Sequence, residues 1–205
     1  MAWYDVTGTI ADWFSFTANA GTLVLTIIIA IKAKKILDDK VQSEGLTRGY
    51  KILDAIDEIY DVMPHLVEGI IHNRKTLKIA ATPSENFEGY SLDSILNNAS
   101  KIRSNASDLK NKVMKVSNMI KRLERWHISL FHKKDFDIFI QISTNLLEDI
   151  IYIASYNAEF TYPDSEFNYN VVHKLESLLI VYKEGIDESY NTILSYKFKD
   201  IFLEL

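Results

Sequence analysis

The hydrophobic pattern opens with an unbroken apolar run and then settles into helical periodicity. From Trp13 to Ile31 there is no charged residue, and Ile27-Ile28-Ile29-Ala30-Ile31 is apolar on every side of a helix. At about 1.5 Å rise per residue this run spans roughly 28 Å, close to the hydrocarbon thickness of a bilayer. Trp13, Phe14 and Phe16 form an aromatic edge at one end, and Lys32, Lys34 and Lys35 close the other. Cations follow the run while Asp5 and Asp12 precede it, so the positive-inside rule predicts an outside N-terminus and a cytoplasmic remainder. No basic region precedes the run, which fits a retained anchor better than a cleaved signal. The division expected is a membrane helix over 1–35 and a cytosolic helical domain over 36–205.

Beyond the run, apolar positions recur at helical spacing. Leu46, Tyr50, Leu53, Ile56, Tyr60, Met63, Val67 and Ile70 predict a helix over about 45–80, with a kink at Pro64. The stretch 38–44 is left open between helix and bend. Residues 81–91 read as a loop ending in Ser91, an N-cap. Ile95, Ala99, Ile102, Ala106, Leu109, Val113, Val116, Ile120, Leu123, His127 and Leu130 then alternate in steps of four and three, predicting one long helix with a coiled-coil-like seam. Lys133, Lys134 and Asp135 read as a turn, and 135–159 as a very apolar helix at the centre of a bundle. Tyr162-Pro163-Asp164 breaks it. A last helix from about Phe167 carries Val171, Leu175, Leu178, Tyr182, Ile186, Ser189, Ile193 and Tyr196 on one face. The expected fold is all-α: one N-terminal transmembrane helix followed by a bundle of about four long helices.

Composition supports this and narrows the chemistry. Three prolines and seven glycines in 205 residues, with 47% hydrophobic residues, favour long helices over a many-turned β fold. The absence of cysteine excludes disulfides, thiolate metal sites and thiol nucleophiles. A net charge of −5 means that any grip on nucleic acid must be a local patch. No Gly-rich phosphate loop, His-Glu-x-x-His or nucleophile elbow occurs, and no cofactor is expected. His65, Glu68 and His72 share a face, but it lies opposite the apolar stripe and reads as solvated rather than metal-binding.

Two patterns carry functional information. Ser15, Asn19, Thr22 and Thr26 follow one another at spacings of four, three and four, so they form a narrow polar stripe along the apolar run, with Asp12 near its outer mouth. Polar groups in hydrocarbon are costly without partners or water, so the stripe predicts homo-oligomerisation in membrane lipid, or a pore lined by these five residues. The simpler alternative is that the hydroxyls bond back to their own helix. The second pattern is Arg122-Leu-Glu-Arg-Trp-His127, with an overlapping pair Arg125 and His132. An arginine offers a bidentate phosphate grip and a histidine a proton carrier near neutral pH. On a continuous helix, however, Arg122 and His127 lie about 140° apart around the axis.

The Arg-x4-His spacing is that of HEPN ribonucleases, which pair these residues across a dimer to act on an RNA 2′-OH and the scissile phosphate. With one N-terminal span and a helical cytosolic domain, the chain resembles the small transmembrane accessory proteins of type VI-B CRISPR systems, which enhance an RNA-guided RNase. The resemblance implies a bacterial inner-membrane oligomer whose pore depolarises infected cells, in functional coupling with that RNase. Leu123 departs from the motif, since HEPN enzymes usually carry a polar residue there, and this argues against RNA cleavage. Two further readings stay open: a membrane-tethered ribonuclease toxin using Arg122 and His127, and a non-catalytic anchored scaffold.

Overall fold

In a computed structural model, the backbone is described for residues 4–81, 91–126, 128–159 and 169–204, and side chains for 15–80, 91–126, 128–159 and 179–202. The fold is all-α with four long helices: α1 (Tyr4–Ala81), α2 (Leu92–Lys121), α3 (Lys133–Ala158) and α4 (Tyr169–Ser195). A short α5 (Phe198–Ile201) and two three-residue strands, β1 (Ile128–Leu130) and β2 (Phe202–Glu204), complete the described elements.

The seam predicted for α2 is the buried face observed. Ile95, Ala99, Ile102, Ala106, Leu109, Val113, Val116 and Ile120 are all buried. Ser91 caps the helix, its hydroxyl accepting from the Ser94 N–H at 3.3 Å. The helix nevertheless ends at Lys121, not at Leu130. Leu123 continues the seam into the core from a 3-10 turn (Leu123–Trp126), and Ile128–Leu130 is extended. The chain reverses there because β1 finds an antiparallel partner in β2, pairing Ile128 with Glu204 and Leu130 with Phe202. A local apolar repeat in steps of four and three cannot reveal a partner more than seventy residues away.

Helix α3 packs between α2 and α4, and α1 packs on α2. Phe136, Phe139, Leu146, Leu147 and Ile150 of α3 are fully buried, so this helix is the centre of the bundle, as its composition predicts. It begins at Lys133, so the expected turn at 133–135 is its first turn. Among the described helices, α3 is the one long and apolar enough to cross a membrane, and 39% of its most apolar stretch is buried inside the protein. That criterion does not single out the N-terminal segment. The buried apolar side chains of α3, Phe136, Phe139, Leu146, Leu147 and Ile150 among them, are those of a core helix packed between α2 and α4.

Helix α1 is continuous for 78 residues, roughly 117 Å at about 1.5 Å each. The stretch 38–44 is therefore helical, and the helix runs on through Pro64. Its bundle-facing stripe consists of Ile52, Ile56, Ile59, Met63, Leu66, Val67, Ile70 and Leu77, whereas Tyr50, expected on that stripe, is 55% exposed. Tyr50 instead stacks on Phe198 of α5, ring centroids 4.0 Å apart. A buried polar clamp joins the far ends of the helices. Asn157 Nδ2 donates to Asn73 Oδ1 (3.0 Å), Asn73 Nδ2 to the Ile95 carbonyl (2.8 Å), and Arg74 to Asn157 Oδ1 (3.1 Å). In the last helix Ile186, Ser189 and Ile193 are buried as predicted, together with Leu179. The side chains of Val171, Leu175 and Leu178 and the break at 162–164 lie outside the described residues.

Candidate functional site

The end of α2 and the neighbouring part of α1 build a basic cleft. Arg122 is the C-cap of α2, its N–H donating to the Met119 carbonyl at 3.1 Å. Leu123 is 1% exposed and anchors the 3-10 turn in the core, leaving Arg122, Glu124 and Arg125 exposed around it. Trp126 is half-buried and lies under the Arg48 guanidinium of α1, 4.1 Å from the ring centroid. This cation–π contact contributes about 0.5–1 kcal/mol at an exposed site and holds the guanidinium in place. Arg48, Arg122, Arg125, Met119 and Trp126 line a cavity of about 290 Å³. Among the described residues no carboxylate pairs with any of the three arginines.

The backbone comes this close because of two glycines. A Cβ on Gly45 would stand 2.5 Å from Ile128 Cγ1 and 2.8 Å from the Trp126 carbonyl oxygen. One on Gly49 would meet the Phe202 ring at 3.1–3.2 Å. The 3-10 turn, β1 and β2 thus form a clasp closed on one side of α1, and the cleft opens at its edge.

The sequence-predicted pairs fare differently. Arg122 and Arg125 meet in this cleft. His127 lies outside the described residues. The 140° separation assumed a helix through His127; α2 stops at Lys121, so that geometry does not apply. His132 has other company: it stacks on Tyr196 (3.8 Å, 8°), and its Nδ1 is 3.8 Å from Asp135 Oδ2, which also accepts from the Tyr196 hydroxyl at 2.9 Å. That hydrogen bond, with burial second, raises the Tyr196 pKa. Arg125 and His132 therefore occupy different surroundings. Arg48 and Trp126 were not legible as site residues, because they meet only through the clasp. His65, Glu68 and His72 are exposed, Glu68 pairing with Lys183 at 3.9 Å, and no group of metal-ligating side chains occurs among the described residues.

Along the N-terminal part of α1, Ser15, Asn19, Thr22 and Thr26 are all exposed. Thr22 Oγ1 donates to the Ala18 carbonyl and Thr26 Oγ1 to the Thr22 carbonyl, each at 2.8 Å. The two threonines thus satisfy their donors within the helix, while the Asn19 side chain makes no hydrogen bond with a described residue. The side chain of Asp12 lies outside the described residues. No family model, curated protein or solved structure matches the chain.

Proposed function

We propose that the chain is a single-pass protein of the bacterial inner membrane, anchored by residues 13–31, and that copies assemble through the Ser15–Asn19–Thr22–Thr26 face into a pore. The observation that carries this reading is the state of α1 before the bundle begins. Ten large apolar side chains between Phe16 and Leu37 are 44–68% exposed, and they lie on all sides of the helix. Covering one such side chain gains roughly 1.5–3 kcal/mol when complete, so the segment as a whole stands to gain on the order of 10 kcal/mol from an apolar surrounding. A second protein helix covers one stripe; lipid covers every side. Lys32, Lys34 and Lys35, following the apolar segment, support a cytoplasmic bundle by the positive-inside rule.

Within lipid the polar face is the part still without a match. The threonine donors are bonded internally, so Asn19 is the group with most to gain from a neighbouring copy or from water. Few copies bring the stripes into contact; more copies enclose water. Membrane depolarisation in antiviral defence, coupled to an RNA-guided RNase, is the role that the resemblance to the type VI-B accessory proteins adds.

Planar-bilayer recording tests the reading. Wild-type protein is expected to carry current, and Asn19→Leu/Thr22→Leu to abolish it while inserting normally, since an apolar constriction dewets. Protease added outside intact cells should leave 45–205 uncut. Absence of current from wild type, or current indifferent to the double substitution, removes the pore.

A further inference from the structure

We infer that the cleft between α1 and the 3-10 turn is a binding site for a compact soluble polyanion of the phosphate class, such as pyrophosphate or a phosphate monoester. Three guanidinium groups converge on one cavity of about 290 Å³, Arg122 and Arg125 from a single turn and Arg48 from the sequence-distant α1, and among the described residues none is ion-paired to a carboxylate. Like charges gathered with no carboxylate within ion-pair distance repel one another, and an anion between them removes the repulsion while accepting several charge-assisted hydrogen bonds. Guanidinium forks suit phosphate oxygens, which they contact in pairs. The concentration is local, since the chain as a whole carries −5.

Size and surroundings select the ligand. A nucleic-acid strand is held along a basic track of several nucleotides with aromatic faces free for stacking. Here the cations form one cluster, and the Trp126 face is already covered by Arg48. A lipid headgroup supplies the same phosphate chemistry but is out of reach. The continuous helix from Lys35 to Arg48 places the cleft about 20 Å beyond the last lysine of the anchor, against a headgroup layer roughly 5–8 Å thick. A ligand dissolved in the surrounding water remains. It would bridge Arg48 on the rod to Arg122 and Arg125 on the clasp, tying the membrane-borne helix to the C-terminal end of the chain.

Calorimetric titration of the full chain in detergent with inorganic pyrophosphate tests this without reference to conductance, so its outcome is independent of the pore reading. Saturable one-to-one binding is expected, weakened at least tenfold in each of Arg48→Gln, Arg122→Gln and Arg125→Gln. Arg122→Lys should lose most of the same affinity, because the charge remains and the fork does not. Lys121→Gln, beside the cleft but not lining it, should bind as wild type does. All five changes are at exposed positions, and circular dichroism establishes that each variant is folded. No saturable heat up to about 10 mM, a level at which a Kd is too weak to matter, overturns the site. So does binding indifferent to the glutamine variants. Tighter, arginine-dependent binding of a single-stranded RNA lacking terminal phosphate would replace the small polyanion with a strand. Binding that appears only in nanodiscs containing phosphatidylglycerol would assign the phosphate to lipid and overturn the soluble source.

Discussion

At the scale of single residues, the fold turns on groups whose partners come from far along the chain. Tyr60 and Tyr190 stack with centroids 3.8 Å apart, and the Tyr190 hydroxyl donates to Asp57 Oδ1 at 3.0 Å. Burial, then the bond to Asp57, pushes the Tyr190 pKa up to about 12, and burial with the bond to Asp187 raises that of Tyr60. A folded-state pKa above the ordinary value of about 10 means that the folded protein holds this proton more tightly than the unfolded chain does. The associated stability is complete below pH about 10 and is lost as pH rises from there to about 12. Denaturant midpoints should therefore fall across that window in wild type and fall less in Tyr190→Phe, which has no proton to lose. Parallel curves for the two proteins would show that this tyrosine does not govern alkaline stability. None of this was visible in the sequence, where Tyr60 is an apolar-stripe position and Tyr190, 130 residues away, lies off the stripe of its own helix. Leu123 is the opposite case. It reads as a seam position as well as a departure from a catalytic motif, and the structure bears out the seam: buried, it fixes the turn that displays Arg122 and Arg125.

At the scale of elements, what was legible follows from local periodicity. The α2 seam is read correctly from Ile95 to Leu123 because each of its burial partners lies on a neighbouring helix that needs the same spacing. The error begins where a non-local contact takes over. Residues 128–130 keep an apolar pattern compatible with a helix, and only the pairing with Phe202–Glu204 makes them a strand. On α1 the expected stripe is partly displaced for a similar reason: Tyr50 is drawn outward to Phe198, and Ile52, Ile59 and Leu66 supply buried positions in the bundle. The clasp makes a prediction of its own. Ala at Gly45 is a good helix former and would stabilise an isolated helix by about 1 kcal/mol. In this fold its methyl would collide with Ile128 and with the Trp126 carbonyl, so the net effect should be destabilising, and the clasp should open before the bundle melts. Limited proteolysis should then cut Gly45→Ala near its C-terminus sooner than wild type. Gly21→Ala, with nothing within 4 Å of the added carbon, serves as the control. Equal cleavage of Gly45→Ala and wild type would mean that the clasp tolerates the methyl.

At the scale of the whole molecule, the decisive feature is that a single helix carries both the exposed apolar segment and the wall of the bundle. Sequence alone left 38–44 undecided, because Asp38, Asp39 and Lys40 suit a solvated helix and a linker equally. As a helix, this stretch fixes the direction in which the Ser15–Thr26 face points relative to α2, α3 and the clasp. In the assembly proposed above, the polar faces must meet around an axis while the bundles meet each other around the same axis. Both conditions can hold only at one helical phase. Inserting two alanines between Asp38 and Asp39 turns the membrane segment by about 200° relative to the bundle, whereas inserting seven turns it by about 700°, which restores the phase to within about 20°. Alanine keeps the helix intact in both. The two-residue insertion should therefore reduce bilayer conductance and shift the detergent-solubilised oligomer towards smaller species on sizing with light scattering. The seven-residue insertion, although it lengthens the rod by about 10 Å, should recover both. A conductance that falls steadily with insertion length would instead point to height above the membrane as the controlling variable. Conductance indifferent to both insertions would mean that the membrane helices assemble without reference to the bundle, and that the rigidity of α1 plays no part in arranging the copies.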